Sequence, residues 1–488
     1  MSDAPLVVIG DALLDRDVEG SVERLAPDAP VPVLDEQVSR ARPGGAALAA
    51  ALAAAGARPV TLVTALADDD AGAELAALIA AAEVELVDLG LDGATPEKVR
   101  LRTTAGQPLL RLDRGGAAPA AVGRASAAAR AAIGWASALL VADYGRGVAA
   151  EPGIRAALAE RGAAAAGERV PIAWDPHPRG APPTPGVLLA TPNAREAAAF
   201  VPEVEGDGLP AIAARAASLR RRWGARHVCV TLGPRGALLD GGEDPPLSVP
   251  ARPVGAGADL CGAGDRFAAA AAALLADGAR CDEAVIAAVE AASSFVAAGG
   301  AARVRFGAAA AVPPTAGTTA AAAPPAAPAA PAPTALAHAE AVIAATRARG
   351  GVAVATGGCF DLLHAGHVRT LEVARALGDC LVVAINDDAS VRRLKGPSRP
   401  LVPARDRAAV LAALTCVDAV VTFAEDTPVR LLERLRPDVW AKGGDYAGAP
   451  LPEAAALARW GGRAVVLPHH AGHSTTRLIE EAANRAAS

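Results

Sequence analysis

Between Ala311 and His338 the chain reads "AVPPTAGTTAAAAPPAAPAAPAPTALAH", a Pro/Ala-rich run with neither helical nor alternating apolar periodicity. Proline removes helix donors and favours extended polyproline II, so such a run does not enter a packed core and acts as a semi-rigid spacer. At about 3.1 Å per residue its proline-rich part would span up to roughly 60 Å. The 488 residues therefore read as two folding units, a domain over 1–311 and a domain over 338–488, joined by a linker over 312–337. Each domain is long enough to bury its own core.

The same pattern fills both sides of the break. "LVVIGD", "VTLVTAL", "ALLVAD", "PIAWDP", "GVLLATPN" and "HVCVTLG" precede it, and "GVAVATGG", "CLVVAIND", "AVVTFAE" and "AVVLPHH" follow it. Short Val/Leu/Ile strands interleaved with Ala-rich helices predict α/β domains built on parallel sheets. In such sheets ligands bind at the carboxyl ends of the strands, and most of the polar motifs start there.

Composition removes several function classes. The formal net charge of −6 leaves no basic footprint for nucleic acid. No apolar run has the length and composition of a membrane span. No cationic leader precedes the first strand, Leu6–Gly10, so a cytoplasmic protein is expected. The six cysteines are scattered without a CxxC pair, which fits reduced, structural thiols.

In the first domain the richest stretch is "GADLCGAGDRFAAAAAALLADG", Gly257–Gly278. Gly262, Ala263 and Gly264 open a helix whose small residues and positive end suit an anion. Asp265 follows in the first turn. It either caps the helix or takes a proton from a substrate hydroxyl attacking a γ-phosphate. Earlier in the chain come "VIGDALLD" with Asp11 and Asp15, "RPGGAALAAALAAAGA" with Gly44 and Gly45, "TPNAREA" with Asn193 and Glu196, and "TLGPRGALL" with Thr231 and Gly233. "TPEKVRLRTTAGQPLLRLDRG" alternates with period two on both sides of TTAG. It predicts a β-hairpin with Lys98, Arg100 and Arg111 on its cationic face.

Together and in this order, these motifs over residues 6 to about 312 resemble the ribokinase-like sugar kinases. "GDALLDRDVEGSVERLAPDAPVPVLD" and "RPGGAALA" are similar to the branch acting on heptose 7-phosphate. The resemblance implies a ribokinase-like domain with a β-lid, Asp265 as base, and Gly262, Ala263 and Gly264 as anion hole. It implies Asn193, Glu196, Thr231 and Gly233 on the ATP side, with Glu196 indirectly on Mg²⁺. Asp15, Gly44 and Gly45 would lie on the sugar side, and the lid would bring Lys98 and Arg111 to a phosphorylated substrate. A homodimer through the kinase domain is expected. Two positions depart from the family pattern: Leu48 stands where Asn is usual, and Cys261 where Ser or Thr is usual.

In the second domain "GGCFDLLHAGHVRTL" sets His364 and His367 where a helix follows a strand. No further ligand stands at metal spacing, and imidazole N–H groups at a helix start suit charge on an α-phosphate. The motif resembles the cytidylyltransferase-like nucleotidyltransferases, implying a Rossmann-like domain with His364 and His367 catalytic. Gly358, Phe360 and Asp361 would contact nucleotide. So would Lys395, Arg399 and Arg407 of "NDDASVRRLKGPSRPLVPARDR", Lys442 of "KGGDY", and Ser474, Thr475 and Thr476 of "HSTT". The second "HAGH", His470–His473, lacks the preceding FD and reads as a loop near the nucleotide. Residues 351–480 look like the heptose 1-phosphate adenylyltransferase half of a bifunctional enzyme. The implied partners are ATP with Mg²⁺ and heptose phosphates. Two other readings stay open: a kinase–cytidylyltransferase for another sugar or polyol phosphate, and a regulator with a degenerate kinase domain, which Leu48 and Cys261 motivate.

Overall fold

The computed structural model describes residues 4–304 and 335–467, apart from 105, 116–120, 166–168, 243–244, 253, 255–258 and 444–451. These residues fall into two compact units, one within the first range and one centred on the second. The expected linker lies outside the described residues, except that a helix, Ala335–Ala348, already includes its last three positions.

The first unit is built on fully buried apolar strands. LVVIG at Leu6–Gly10 pairs in parallel with Val60–Thr64 on one side and Ala138–Ala142 on the other. Parallel pairing continues from Ala138–Ala142 through Ile172–Asp175 and Leu189–Ala190 to His227–Thr231. Ala237–Asp240 then adds antiparallel, and Glu85–Asp88 extends the opposite side in parallel. Strands buried on both faces need helices on both faces, which the Ala-rich segments supply. The helices Ala46–Ala54 and Ala263–Ala276 put Ala47, Leu48, Ala50, Ala268 and Ala272 into one core with Leu6, Val8, Leu62 and Leu140. Their small side chains let these helices lie close to the sheet.

A second sheet of four strands stands apart from the first, in the order Pro32–Gly45, Ala12–Leu25, Glu97–Thr103, Pro108–Arg114. The expected hairpin is its outer half, with Val99 opposite Leu112 and Leu101 opposite Leu110. The inner half is the long antiparallel pair Ala12–Leu25 and Pro32–Gly45, which brings Asp15 opposite Arg42 and Leu13 opposite Gly44. Both inner strands are exposed toward their far ends and buried near the main sheet. That gradient is the mark of a lid.

The second unit has five parallel strands in the order Ala419–Phe423, Cys380–Asn386, Ala353–Gly358, Val439–Lys442, Arg463–Val466. The strand order reverses between Ala353–Gly358 and Val439–Lys442. In a doubly wound sheet that switch point opens a crevice at the carboxyl ends. Gly357 is required there by packing, because a Cβ on it would sit 2.6 Å from the ring of buried Trp440.

Candidate active sites

In the first unit Gly262 closes the turn before its helix at φ 80°, a left-handed conformation natural to glycine. A Cβ there would lie 2.9 Å from Leu48 Cδ2. Leu48 itself is 1% exposed and belongs to the core. The leucine that departs from the family pattern therefore backs the Gly262 turn as packing. At Gly264 the space around an added Cβ is open, so the backbone at the helix start is accessible to an anion.

Asp265 is not a cap. The N-cap is Gly262, with no side-chain capping bond. The Asp265 Oδ1 instead accepts a 2.5 Å hydrogen bond from Tyr144 Oη. Desolvation pushes the Asp265 carboxyl up to about 6 against the pull of that hydrogen bond, and the Asp15 charge adds to the rise. Lys98 and Arg42 act in the other direction. A carboxylate in that range is ionised at neutral pH yet basic enough to take a hydroxyl proton.

Around Asp265 the lid supplies a network of charge. Asp15 accepts from Arg42 Nη1 at 2.9 Å and from Arg100 Nη1 at 2.8 Å. Arg42 also reaches Asp17 Oδ2 at 3.1 Å and Cys261 Sγ at 3.7 Å. Cys261 thus receives a donor where the family has a hydroxyl. Gly44 gives Asp15 its room, since a Cβ on Gly44 would come 2.9 Å from Asp15 Oδ2. Gly45, at φ 59°, ends the strand and caps the helix Ala46–Ala54. Lys98 lies with its ammonium 5.5 Å above the Tyr144 ring, and burial lowers its pKa. Arg111 is exposed and paired with Asp113 at 2.7 Å, while Arg100 is occupied by Asp15. Of the three hairpin cations, Arg100 is held by the buried Asp15, while the Arg111 pair with Asp113 is exposed to solvent.

Asn193 and Glu196, expected on the ATP side, form a capping box on the helix Ala194–Phe200. Asn193 accepts from the Arg195 and Glu196 backbone, and Glu196 accepts from the Asn193 backbone at 2.8 Å. A parallel bridge joins Asn193 to Thr231, and Gly233, at φ 59°, starts the next turn. Burial raises the Glu196 carboxyl, and burial with the charge of Glu196 raises Asp175. Among the described residues no group of three or more His, Cys, Asp or Glu is arranged to hold a metal.

The structure also brings to this region residues that the sequence reading did not single out: Tyr144, Arg42, Asp175 and the arginines of an adjoining cavity. That cavity, of about 790 Å³, is lined by Arg124, Arg130, Arg146 and Arg179 beside Asp143. Desolvation raises the Asp143 carboxyl to about 7. Tyr144 and Arg146 lie in "VADYGRGV", just beyond a strand's carboxyl end, and that position was the available signal.

In the second unit His364 is the N-cap of the helix Ala365–Arg375, with His367 one turn inside. Their rings stack with centroids 3.9 Å apart, and the Phe360 ring lies 5.4 Å from His367. Burial and then the neighbouring His364 push His367 down to about 4, so it acts as neutral imidazole. Phe360 has φ 47°, an uncommon conformation for a bulky residue. Gly358 packs close to it, 3.3 Å separating an added Cβ from the Phe360 ring.

Three residues expected on the nucleotide have partners within the protein. Asp361 accepts from Arg399 Nη1 at 2.6 Å and from the backbone of Leu401 and Val402. Arg399 is thereby paired. Arg407, 1% exposed, holds the carbonyls of Val402 and Cys359 and the Asp388 carboxylate. Buried there, Arg407 ties the loop at Cys359 to Val402 and Asp388. Lys395 is exposed at its helix end. Lys442 sits 3.6 Å from Glu453, its ammonium 5.8 Å over the Trp440 ring. Both lysines exert their charge on Cys359, so they converge on the same turn. Ser474, Thr475, Thr476 and the second HAGH lie outside the described residues.

A lidded α/β unit with a carboxylate at a glycine-capped helix, and a separate doubly wound unit with paired histidines, define a sugar kinase joined to a nucleotidyltransferase. Residues 3–305 match the pfkB family carbohydrate kinases and residues 355–481 the cytidylyltransferase-like family. The chain is 55% identical to the bifunctional protein HldE of Streptomyces coelicolor, over 99% of this chain and 97% of that one. It is 41% identical to that of Azorhizobium caulinodans, over 98% of each, and 37% identical to that of Caulobacter vibrioides, over 97% and 96%. The chain belongs to the HldE family of bifunctional enzymes, heptose kinase and adenylyltransferase in one polypeptide.

Proposed function

We propose that Asp265 of the first unit takes the proton from O1 of D-glycero-D-manno-heptose 7-phosphate as that oxygen attacks the γ-phosphorus of ATP. The observation that carries this reading is the Asp265 carboxylate, raised to about 6 and bonded through Oδ1 to Tyr144. Among the described residues its second oxygen carries no hydrogen bond, and it is the one that would face the substrate. The backbone at Gly262, Ala263 and Gly264 and the positive end of their helix stabilise the charge on the transferred phosphoryl group. Asp15, Gly44 and Gly45 line the sugar. Lys98 and Arg111, with Arg146 and Arg179 of the adjoining cavity, seat the 7-phosphate.

Asn193, Glu196, Thr231 and Gly233 border ATP. Mg²⁺ would enter with ATP beside Glu196, held through water, and would neutralise phosphate oxygens; the raised pKa values of Glu196 and Asp175 fit a place that gains from a cation.

In the second unit His364 and His367 donate N–H to the α-phosphate of ATP as heptose 1-phosphate attacks it. Lys395 and Lys442 neutralise the departing pyrophosphate, and ADP-heptose is the product. A separate phosphatase must act between the two steps. The protein is placed in the cytoplasm, as a homodimer through the kinase unit, whose lid exposes Leu25, Val31, Leu110 and Leu112.

The test is incubation with ATP or CTP and a panel of sugar phosphates, with products identified by mass. Heptose 7-phosphate with ATP should give a bisphosphate, and heptose 1-phosphate with ATP should give ADP-heptose. Faster consumption of heptose 1-phosphate with CTP, or no turnover of any sugar phosphate, would overturn the reading.

A further inference from the structure

We propose that Tyr144 is the positioning residue of the kinase base, holding Asp265 by one oxygen and coupling it to the lid through Lys98. The inference rests on Asp265 being that base. Tyr144 is fixed from three sides. Its backbone N–H is accepted by Asp11 Oδ2 at 3.0 Å, and the same carboxylate takes the N–H groups of Arg146 at 2.9 Å and Val148 at 3.0 Å. Asp11 is itself buried. On the ring's flank stands Gly45, where an added Cβ would approach Tyr144 Cε2 to 3.4 Å. Over the ring face lies the Lys98 ammonium at 5.5 Å. The hydroxyl that emerges from this seat donates to Asp265 Oδ1 at 2.5 Å.

Two consequences follow from that geometry. A carboxylate held through Oδ1 cannot rotate freely, so Oδ2 is presented in one direction to the sugar hydroxyl. A hydrogen bond donated to the ionised form also favours that form. Asp265 is faced by Tyr144, by Lys98, Asp15 and Arg42 of the lid strands, and by Asp175 at the end of its own strand. Of these, Tyr144 is the neutral donor in contact. Lys98, on the lid strand Glu97–Thr103, rests on the same ring. Lid closure over a phosphorylated sugar therefore bears on the residue that aims the base.

Tyr144→Phe keeps the ring, its backbone seat and the surface under Lys98, and removes only the donor. The full-length variant, checked for an unchanged melting temperature, is compared with the parent in the kinase step from pH 5 to 9. The acid limb of kcat/KM should move up by about one pH unit, as expected for loss of a charge-assisted hydrogen bond. At the alkaline plateau kcat should fall about ten- to a hundredfold, with KM for the sugar within about twofold. An acid limb that stays in place overturns the proposal whatever the rate, because a merely structural tyrosine would slow turnover without moving that limb. Asp265→Asn run alongside separates the two readings. If Asp265→Asn is active, the assignment of the base fails. If it is inactive while the limb of Tyr144→Phe is unmoved, only the role of Tyr144 fails.

Discussion

Asp265 and His367 are held at different points of the acid range, about 6 and about 4, and the two reactions should differ accordingly. Asp265 must be ionised to accept a proton, and burial holds it at about 6. The kcat/KM of the kinase step should therefore halve near pH 6 and fall about tenfold per unit below it. His367 is held near 4 by burial and by His364, so it remains neutral down to about pH 5 and should contribute no acid limb to adenylyl transfer above that. Parallel pH profiles of the two half-reactions check both expectations. Substitution separates them further. Asp265→Asn should lower the kinase step by about 10²–10⁴-fold and leave adenylyl transfer within about twofold. His367→Ala removes a donor to transition-state charge and should cost adenylyl transfer about 10²–10³-fold without touching the kinase. His473→Ala should cost far less than His367→Ala. A substitution that abolished both steps in a folded protein would defeat the picture of two active sites.

At the scale of elements, each site depends on how a segment is braced. The lid strand Pro32–Gly45 crosses Ala12–Leu25 where Gly44 faces Leu13. A Cβ on Gly44 would stand 2.4 Å from Leu13 Cδ1 and 2.9 Å from Asp15 Oδ2. Gly44→Ala should thus displace Asp15 and raise KM for the sugar more than it lowers kcat, measured by steady-state kinetics at saturating ATP. In the second unit Arg407 ties the loop after Ala353–Gly358 to the helix Asp388–Lys395. Arg407→Met removes the donors to two carbonyls and the ion pair of Asp388, which keeps the Ala404 N–H. It should destabilise that unit by about 2 kcal/mol, read from denaturant unfolding of the full chain, with KM for ATP rising in adenylyl transfer as the loop loosens.

For the whole molecule, the Pro/Ala-rich stretch offers no periodic apolar face. Cutting the chain between Pro324 and Pro333 should leave two soluble pieces, each with its own activity. Kinase activity lost from the isolated first piece, with its melting transition unchanged, would show that the pieces are not independent.

Much of the architecture is local and so was legible in the chain itself. Continuous apolar strands such as LVVIG and CLVVAIN, Ala-rich helices and a period-two hairpin determine two parallel α/β units, because burial on both sheet faces demands those residue types in any order of strands. Glycine turns before helices marked Asp265, His364 and His367, since an anion site at a helix start needs small residues at fixed spacing. What the sequence could not decide is which charges remain available. Arg407 and Arg399 read as free cations, but non-local folding gives one to Asp388 and backbone carbonyls and the other to Asp361. Asp265 read as either cap or base, and the fold pairs it with Tyr144, 121 positions away, rather than with its own helix end. Leu48 read as a lost polar contact, and packing made it the backing of Gly262. Hydrogen bonding and desolvation depend on neighbours far along the chain, so the tertiary structure alone decided them.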